Sequence, residues 1–181
     1  FGPLARYKLW GRLDDNAGWE VDFERPRRPT WDYLCSHYAD VQACYGFDFM
    51  RGDMSHVQMR PEGPPAQPDE FYDPLAAVKQ RIQQQRPSFA YFAETFLAPR
   101  DVMLYGDEAD HLEAADAEVS LGDLQSVPTD SPEFGQRFAH YLHIARTRRL
   151  IPSLTVMTGD KDDPRFDSFY LHGSLLRLFV A

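Results

Sequence analysis

The segment YGFDFMRGDMSH, residues 45–56, places a cation, an anion and an imidazole directly after an apolar run. These polar residues are Arg51, Asp53 and His56, and the run before them predicts a short buried strand. An arginine close to an aspartate keeps the carboxylate ionised through the opposite charge. The segment therefore fits either an ordinary strand that leaves a core or a catalytic carboxylate held at the end of a strand.

Two further apolar runs also end at acids. Glu94 follows the run that begins at residue 89, and the sequence GDKDDPR at 159–165 follows a run that begins at residue 151. If the strands are parallel, these ends lie at one edge of the sheet, where sites form in such folds. Two or three carboxylates at that edge suit glycoside hydrolysis with retention, which uses one nucleophile and one proton donor about 5–5.5 Å apart. A second carboxylate near the donor raises the pKa of the donor.

Each acid taken alone also fits a structural role. Asp53 could cap a following helix, Glu94 could be an exposed loop acid, and residues 160–165 could form a solvated loop with Asp-Pro turn chemistry. Because all three acids follow apolar runs in the same way, their order and spacing together favour a site.

Helices and strands alternate along the chain. Strands are predicted at residues 47–50, 89–97, 117–126 and 151–160, with one short strand near 19–23, and the first 30 residues are otherwise predicted to be loop. Helices are predicted at 30–44, 74–85, 131–149 and 169–180, and in part of 100–115. Local signals support these bounds, namely capping by Thr30 and Ser131, first-turn prolines at 74 and 132, and a break at Gly46. The alternation predicts an α/β fold with parallel strands and right-handed crossovers.

Composition narrows the class of protein. The chain has 181 residues, is 43% hydrophobic and carries a formal charge of −9, which predicts that residues 1–181 form one domain or a large part of one and argues against nucleic acid as a partner. It contains no run of 18 apolar residues, so no membrane span is expected. Cys35 and Cys44 are interpreted as buried thiols on one helix, too far apart for a disulfide. This does not fix the compartment, although the cytoplasm is slightly favoured.

The order of the motifs resembles the alpha-amylase family of glycoside hydrolases (family 13). Residues 45–53 are similar to that family's fourth-strand motif G-F-R-x-D, residues 92–95 to its fifth strand, and residues 158–165 to its seventh-strand motif N-H-D-x-x-R. The resemblance implies that Asp53 is the nucleophile, Glu94 the general acid/base and Asp162 the acid that stabilises the transition state. It also implies substrate-binding roles for four residues: Arg51, His56, Lys161 and Arg165.

The resemblance implies part of a (β/α)8 TIM-type barrel, strands about 3 to 8, with no counterpart of the N-terminal strands in this chain. The expected partners are an oligosaccharide or polysaccharide substrate and a missing N-terminal barrel segment, from another chain or domain. No cofactor and no metal are implied. The chain departs from the family pattern at Lys161, which replaces a histidine and is expected to pair with a neighbouring carboxylate.

Three functions are compatible with these features. The leading one is a retaining alpha-glycoside hydrolase or transglycosidase that acts on alpha-glucans or related oligosaccharides through a covalent glycosyl-enzyme intermediate. The second is a catalytically silent carbohydrate-binding or scaffolding relative. The third is a phosphate hydrolase with Mg²⁺ on Asp160, Asp162 and Asp163, although no Gly-rich phosphate loop is present. Four aromatic residues offer stacking surfaces for sugars or belong to the core: Trp19, Tyr45, Phe47 and Tyr91.

Overall fold

A computed structural model describes residues 2–14, 20–53, 60, 62–95, 97–100, 106–122, 124, 127, 129–154, 176 and 179. Helices in this part of the chain are α1 Gly2–Leu9, α2 Arg28–Tyr45, α3 Pro74–Gln83, α4 Glu108–Ala114 and α5 Pro132–Thr147. Strands are β1 Trp10–Arg12, β2 Val21–Pro26, β3 Phe49–Gly52, β4 Ala90–Glu94, β5 Val119–Gly122 and β6 Ile151–Leu154. The predicted alternation of strands and helices is confirmed between residues 28 and 154, whereas the predicted helix at 169–180 lies largely outside the described residues.

The N-terminal region contains more regular structure than the sequence predicted. Residues 2–12 form α1 and β1 instead of loop, and β1 pairs with β2 in an antiparallel ladder. The cause is packing between aromatic residues that are distant in the sequence. Trp10 and Trp31 are both buried and pack edge to face, with ring centroids 5.3 Å apart. The Trp31 indole N–H also donates to the carbonyl of Leu9 at 2.8 Å.

Helix α2 begins before the predicted residue. Thr30 is not its N-cap, since the helix starts at Arg28 and has a proline in its first turn, where the missing N–H costs nothing. Gly46 ends the helix as predicted, with a left-handed φ of 71° that glycine adopts without strain. Cys35 is buried, whereas Cys44 is exposed, so the prediction of two buried thiols is wrong for Cys44.

Local capping fixes the next helices. Asp73 accepts the N–H of Ala76 at 2.7 Å at the start of α3, and Ser131 accepts the N–H of Phe134 at 3.3 Å at the start of α5. Both helices have proline in the first turn, as the sequence predicted. In the acidic segment after residue 100, the structure describes the residues from 106 onward, and these contain α4.

The second sheet is four-stranded and parallel, in the order β3-β4-β5-β6. Gly52 of β3 is paired with Ala93 of β4, and Ala93 with Ser120 of β5. The predicted parallel pairing is therefore confirmed for these strands. Each strand lies beside the next one in the chain, without the reversal of order that marks a doubly wound sheet.

Helices pack on one face of this sheet. Tyr91 and Ala93 of β4 belong to one buried cluster with Leu112 of α4 and Tyr141 of α5. Met50 of β3 packs against this cluster and against a second one that contains residues of α2 and α3. Alternate residues of the strands therefore form the contacts that bury this face.

The opposite face is open at both end strands. Phe49 on β3 is 60% exposed and Ile151 on β6 is 65% exposed. A cavity of about 400 Å³ opens along β3, β4 and β5, with a lining of Asp48, Phe49, Ala90, Tyr91, Phe92 and Val119. The prediction of a buried strand at residues 47–50 is therefore wrong for Phe47 and Phe49, because β3 is an end strand of the described sheet and only alternate residues face the helices. Within the described residues the sheet is not closed, and the barrel stays a prediction.

Candidate functional site

The candidate site lies at the carboxyl ends of β3 and β4. Arg51 lies near the end of β3, Asp53 follows its last residue, and Glu94 ends β4. Arg51 is in register with Phe92, and side chains alternate between the two faces. Arg51 and Glu94 therefore project from the open face of the sheet, the side that would face the interior of a barrel.

The guanidinium of Arg51 bridges the two acids. Its Nη2 lies 2.5 Å from Oε1 of Glu94, and its Nη1 lies 3.3 Å from Oδ1 of Asp53. The Glu94 side chain is 25% exposed, whereas that of Asp53 is 73% exposed. The sequence predicted that Arg51 supports Asp53, and Arg51 contacts both acids, with the shorter contact to Glu94.

Burial raises the pKa of Glu94 above its ordinary value. A hydrogen bond with the Asp53 side chain raises the pKa further, and the charge of Arg51 opposes both effects. A carboxyl group with a raised pKa holds its proton closer to neutral pH, which is what a general acid requires. The interpretation of Glu94 as an exposed loop acid is wrong, because Glu94 belongs to β4 and its side chain is mostly covered.

The two carboxyl groups lie near each other, because the guanidinium of Arg51 contacts both. A retaining mechanism uses two carboxyl groups about 5–5.5 Å apart. Of the two side chains, that of Asp53 is the more exposed.

Four of the predicted site residues lie outside the described residues: His56, Lys161, Asp162 and Arg165. The same holds for Asp160 and Asp163, which the phosphate hydrolase hypothesis requires. In the part of the chain that the structure describes, no group of three or more His, Cys, Asp or Glu side chains could hold a metal ion. None of the helices described there is long and apolar enough to cross a membrane.

The aromatic residues do not line the two acids. Tyr91 is 1% exposed and belongs to the helix-covered core, so it offers no stacking surface. Tyr45 and Phe47 are exposed and stack on each other with ring centroids 5.8 Å apart, but both residues precede β3. Strand β3 begins at Phe49 and Asp53 follows its last residue, so Tyr45 and Phe47 lie beyond the opposite end of the strand. Trp19 lies outside the described residues.

Sequence reasoning missed the contacts of the backbone that follows Glu94. Thr95 is buried and its hydroxyl donates to the Leu121 carbonyl at 3.4 Å. Glu108 on α4 and His140 on α5 bind the backbone of the same segment farther along. No spacing signal could have indicated these contacts, because Glu108 and His140 are far from Glu94 in the sequence and belong to segments that the pattern identified only as helices.

Comparisons with known proteins add no relative. No family model matches the chain, and neither the curated proteins nor the solved structures include a significant match.

Proposed function

We propose that the protein is a retaining alpha-glycoside hydrolase or transglycosidase acting on alpha-glucans or related oligosaccharides. The observation that supports this most directly is the arrangement of Asp53, Arg51 and Glu94 at the ends of adjacent parallel strands. Glu94, with its raised pKa, is suited to protonate the leaving-group oxygen. Asp53 is suited to attack the anomeric carbon and form the glycosyl-enzyme intermediate. Asp162 would then stabilise the positive charge of the transition state, as the resemblance to the alpha-amylase family implies.

We also propose that the parallel sheet is part of a (β/α)8 barrel. Sequential strand order with helices on one face is the arrangement of a barrel wall, whereas a doubly wound sheet carries helices on both faces. The open face would then be the barrel interior, and the acids at its carboxyl end would lie where barrel enzymes hold their sites. Completing this wall requires strands beyond the four of the described sheet, and we propose that a segment from another chain or domain contributes to them.

The second candidate is a catalytically silent carbohydrate-binding or scaffolding relative. The 2.5 Å contact between Arg51 and Glu94 favours it, because a guanidinium stabilises the ionised acid and so weakens a proton donor. Lys161, in place of the family's histidine, favours it as well.

Turnover of alpha-glucosides by two variants separates these candidates. Asp53→Asn is expected to lower kcat/KM at least a thousandfold, which corresponds to about 4 kcal/mol of barrier. Glu94→Gln is expected to impair substrates with poor leaving groups far more than activated aryl glucosides, which need little protonation.

The matched control is Asp48→Asn. Asp48 precedes the same strand at its opposite end and pairs with Arg86 at 2.7 Å, so its loss removes a carboxylate without affecting the site. Wild-type binding of oligosaccharides without turnover would establish the silent relative instead. Equal loss in the Asp48→Asn and Asp53→Asn variants would remove Asp53 from the role of nucleophile.

A further inference from the structure

The backbone that follows Glu94 has an unusual conformation. Leu97, three residues after Glu94, has a φ of 51°, in the left-handed region that residues with a side chain seldom adopt. Leu97 is also 1% exposed, and its side chain belongs to the core between the sheet and α4 and α5. Such a conformation persists only where surrounding contacts impose it, and it is often found beside functional sites.

Two side chains from different helices bind this backbone. His140 on α5 lies with Nε2 at 2.8 Å from the carbonyl oxygen of Leu97. A carbonyl oxygen only accepts, so Nε2 carries the hydrogen and donates. Glu108 on α4 is fully buried, and its Oε2 accepts the N–H of Ala98 at 3.0 Å.

A backbone hydrogen bond completes the attachment. The N–H of Glu108 donates to the carbonyl of Ala98 at 3.1 Å, so Glu108 binds Ala98 through both its main chain and its side chain. The hydroxyl of Thr95, one residue after Glu94, donates to Leu121 at the end of β5. Thr95, Leu97 and Ala98 are therefore attached to β5, α5 and α4, respectively, shortly after the candidate acid.

We propose that Glu108 and His140 are positioning residues that hold the backbone of Leu97 and Ala98 and so fix the mostly covered placement of Glu94. The effect of these two residues on catalysis rests on the proposed function, in which Glu94 is the general acid/base. Neither residue would touch the substrate. Their effect would pass through the backbone, because the end of β4 and the Leu97 carbonyl are three residues apart.

Two substitutions of His140 form the main test. His140→Phe retains an aromatic ring and removes the donor, whereas His140→Gln retains an N–H that can reach the Leu97 carbonyl. The matched control is His143→Phe, three residues along the same helix and exposed. In the His140→Phe variant, kcat on an alpha-glucoside is expected to fall tenfold to about a hundredfold with little change in KM. His140→Gln is expected to restore most of the loss.

A second readout does not depend on turnover. The carbon-13 NMR titration of the Glu94 carboxyl group reports its burial, since burial is the main cause of its raised pKa. His140→Phe is expected to move this pKa back toward its ordinary value, and His140→Gln and His143→Phe are expected to leave it raised. Glu108→Gln gives an independent test of the same attachment, and circular dichroism checks that each variant is folded.

The outcomes separate the inference from the proposed function. An unchanged Glu94 pKa in folded His140→Phe and Glu108→Gln variants would overturn the positioning role, whatever the activity. A changed pKa in a protein that does not hydrolyse alpha-glucosides would support the positioning role and contradict the proposed function. Equal effects of His140→Phe and His143→Phe on the Glu94 pKa and on kcat would also overturn the positioning role.

Discussion

Two carboxyl groups at the site have different surroundings, and this difference is what could give them different roles. Glu94 is mostly covered and has a raised pKa, while Asp53 is largely in solvent beside Arg51. Pairs of acids in unlike environments divide into a proton donor and an ionised partner. Arg51 contacts both acids, so its charge opposes the effect of burial on Glu94.

Replacing Arg51 with glutamine is expected to raise the pKa of Glu94 further. The substitution removes the cation that favours the ionised form, while burial and the hydrogen bond with Asp53 remain. The acid form of a group is present below its pKa and is lost as pH rises through it. The alkaline limb of the pH–rate profile should therefore move to higher pH, and an NMR titration of Glu94 should show the same direction.

The control for this substitution is Arg86→Gln. Arg86 pairs with Asp48 at the opposite end of β3, so its loss removes the same charge from the protein. An unchanged or lowered Glu94 pKa in the Arg51→Gln variant would show that the ion pair at 2.5 Å does not govern the acid.

At the scale of elements, the sequence predicted those features that depend on residues close together in the chain. Helices α3 and α5 were predicted because a first-turn proline marks the start of each, together with the cap Ser131 for α5. The parallel strands predicted that Asp53 and Glu94 lie at one edge of the sheet. The contact between Trp10 and Trp31, which organises the N-terminal region, joins residues 21 positions apart and leaves no local signal. The attachment of the Leu97 backbone to His140 is equally non-local.

Helix α5 packs closely against the end of β5, and Gly122 permits this approach. A Cβ atom at Gly122 would lie 2.8 Å from the Tyr141 ring, closer than real contacts allow. Gly122→Ala is therefore expected to lower the free energy of unfolding by about 1–3 kcal/mol, because a packed ring or the strand must shift. Chemical denaturation measures this change.

For a second glycine, on α5, we expect substitution by alanine to change stability in the opposite direction. Gly135 lies on α5, and nothing lies within 4 Å of a Cβ atom added there. Gly135→Ala is expected to stabilise the protein by about 0.5–1 kcal/mol, since alanine loses less backbone entropy in a helix. Equal effects of the two substitutions would contradict close packing at Gly122.

At the scale of the whole molecule, the site and the open face of the sheet belong together. Glu94 and Arg51 project from the same face as Phe49, and that face is opposite the helices. Apolar side chains near the start of the strands and charged side chains at their ends would form successive layers inside a barrel. The strands that complete the wall would therefore cover Phe49 and also enclose the acids.

The open face should behave as an exposed apolar patch if no further strands cover it. Phe49 is 60% exposed beside the cavity on this face, whereas Leu142 is 39% exposed on α5. Contiguous apolar patches bind apolar probes, and single exposed side chains do not. Phe49→Ser is therefore expected to reduce the fluorescence of a bound anilinonaphthalene sulfonate dye, while Leu142→Ser leaves it nearly unchanged.

Both substitutions should alter the free energy of unfolding by no more than about 0.5 kcal/mol, because neither side chain is buried. Equal dye binding by wild type and the Phe49→Ser variant would show that this face is already covered, and it would contradict a barrel wall that needs further strands.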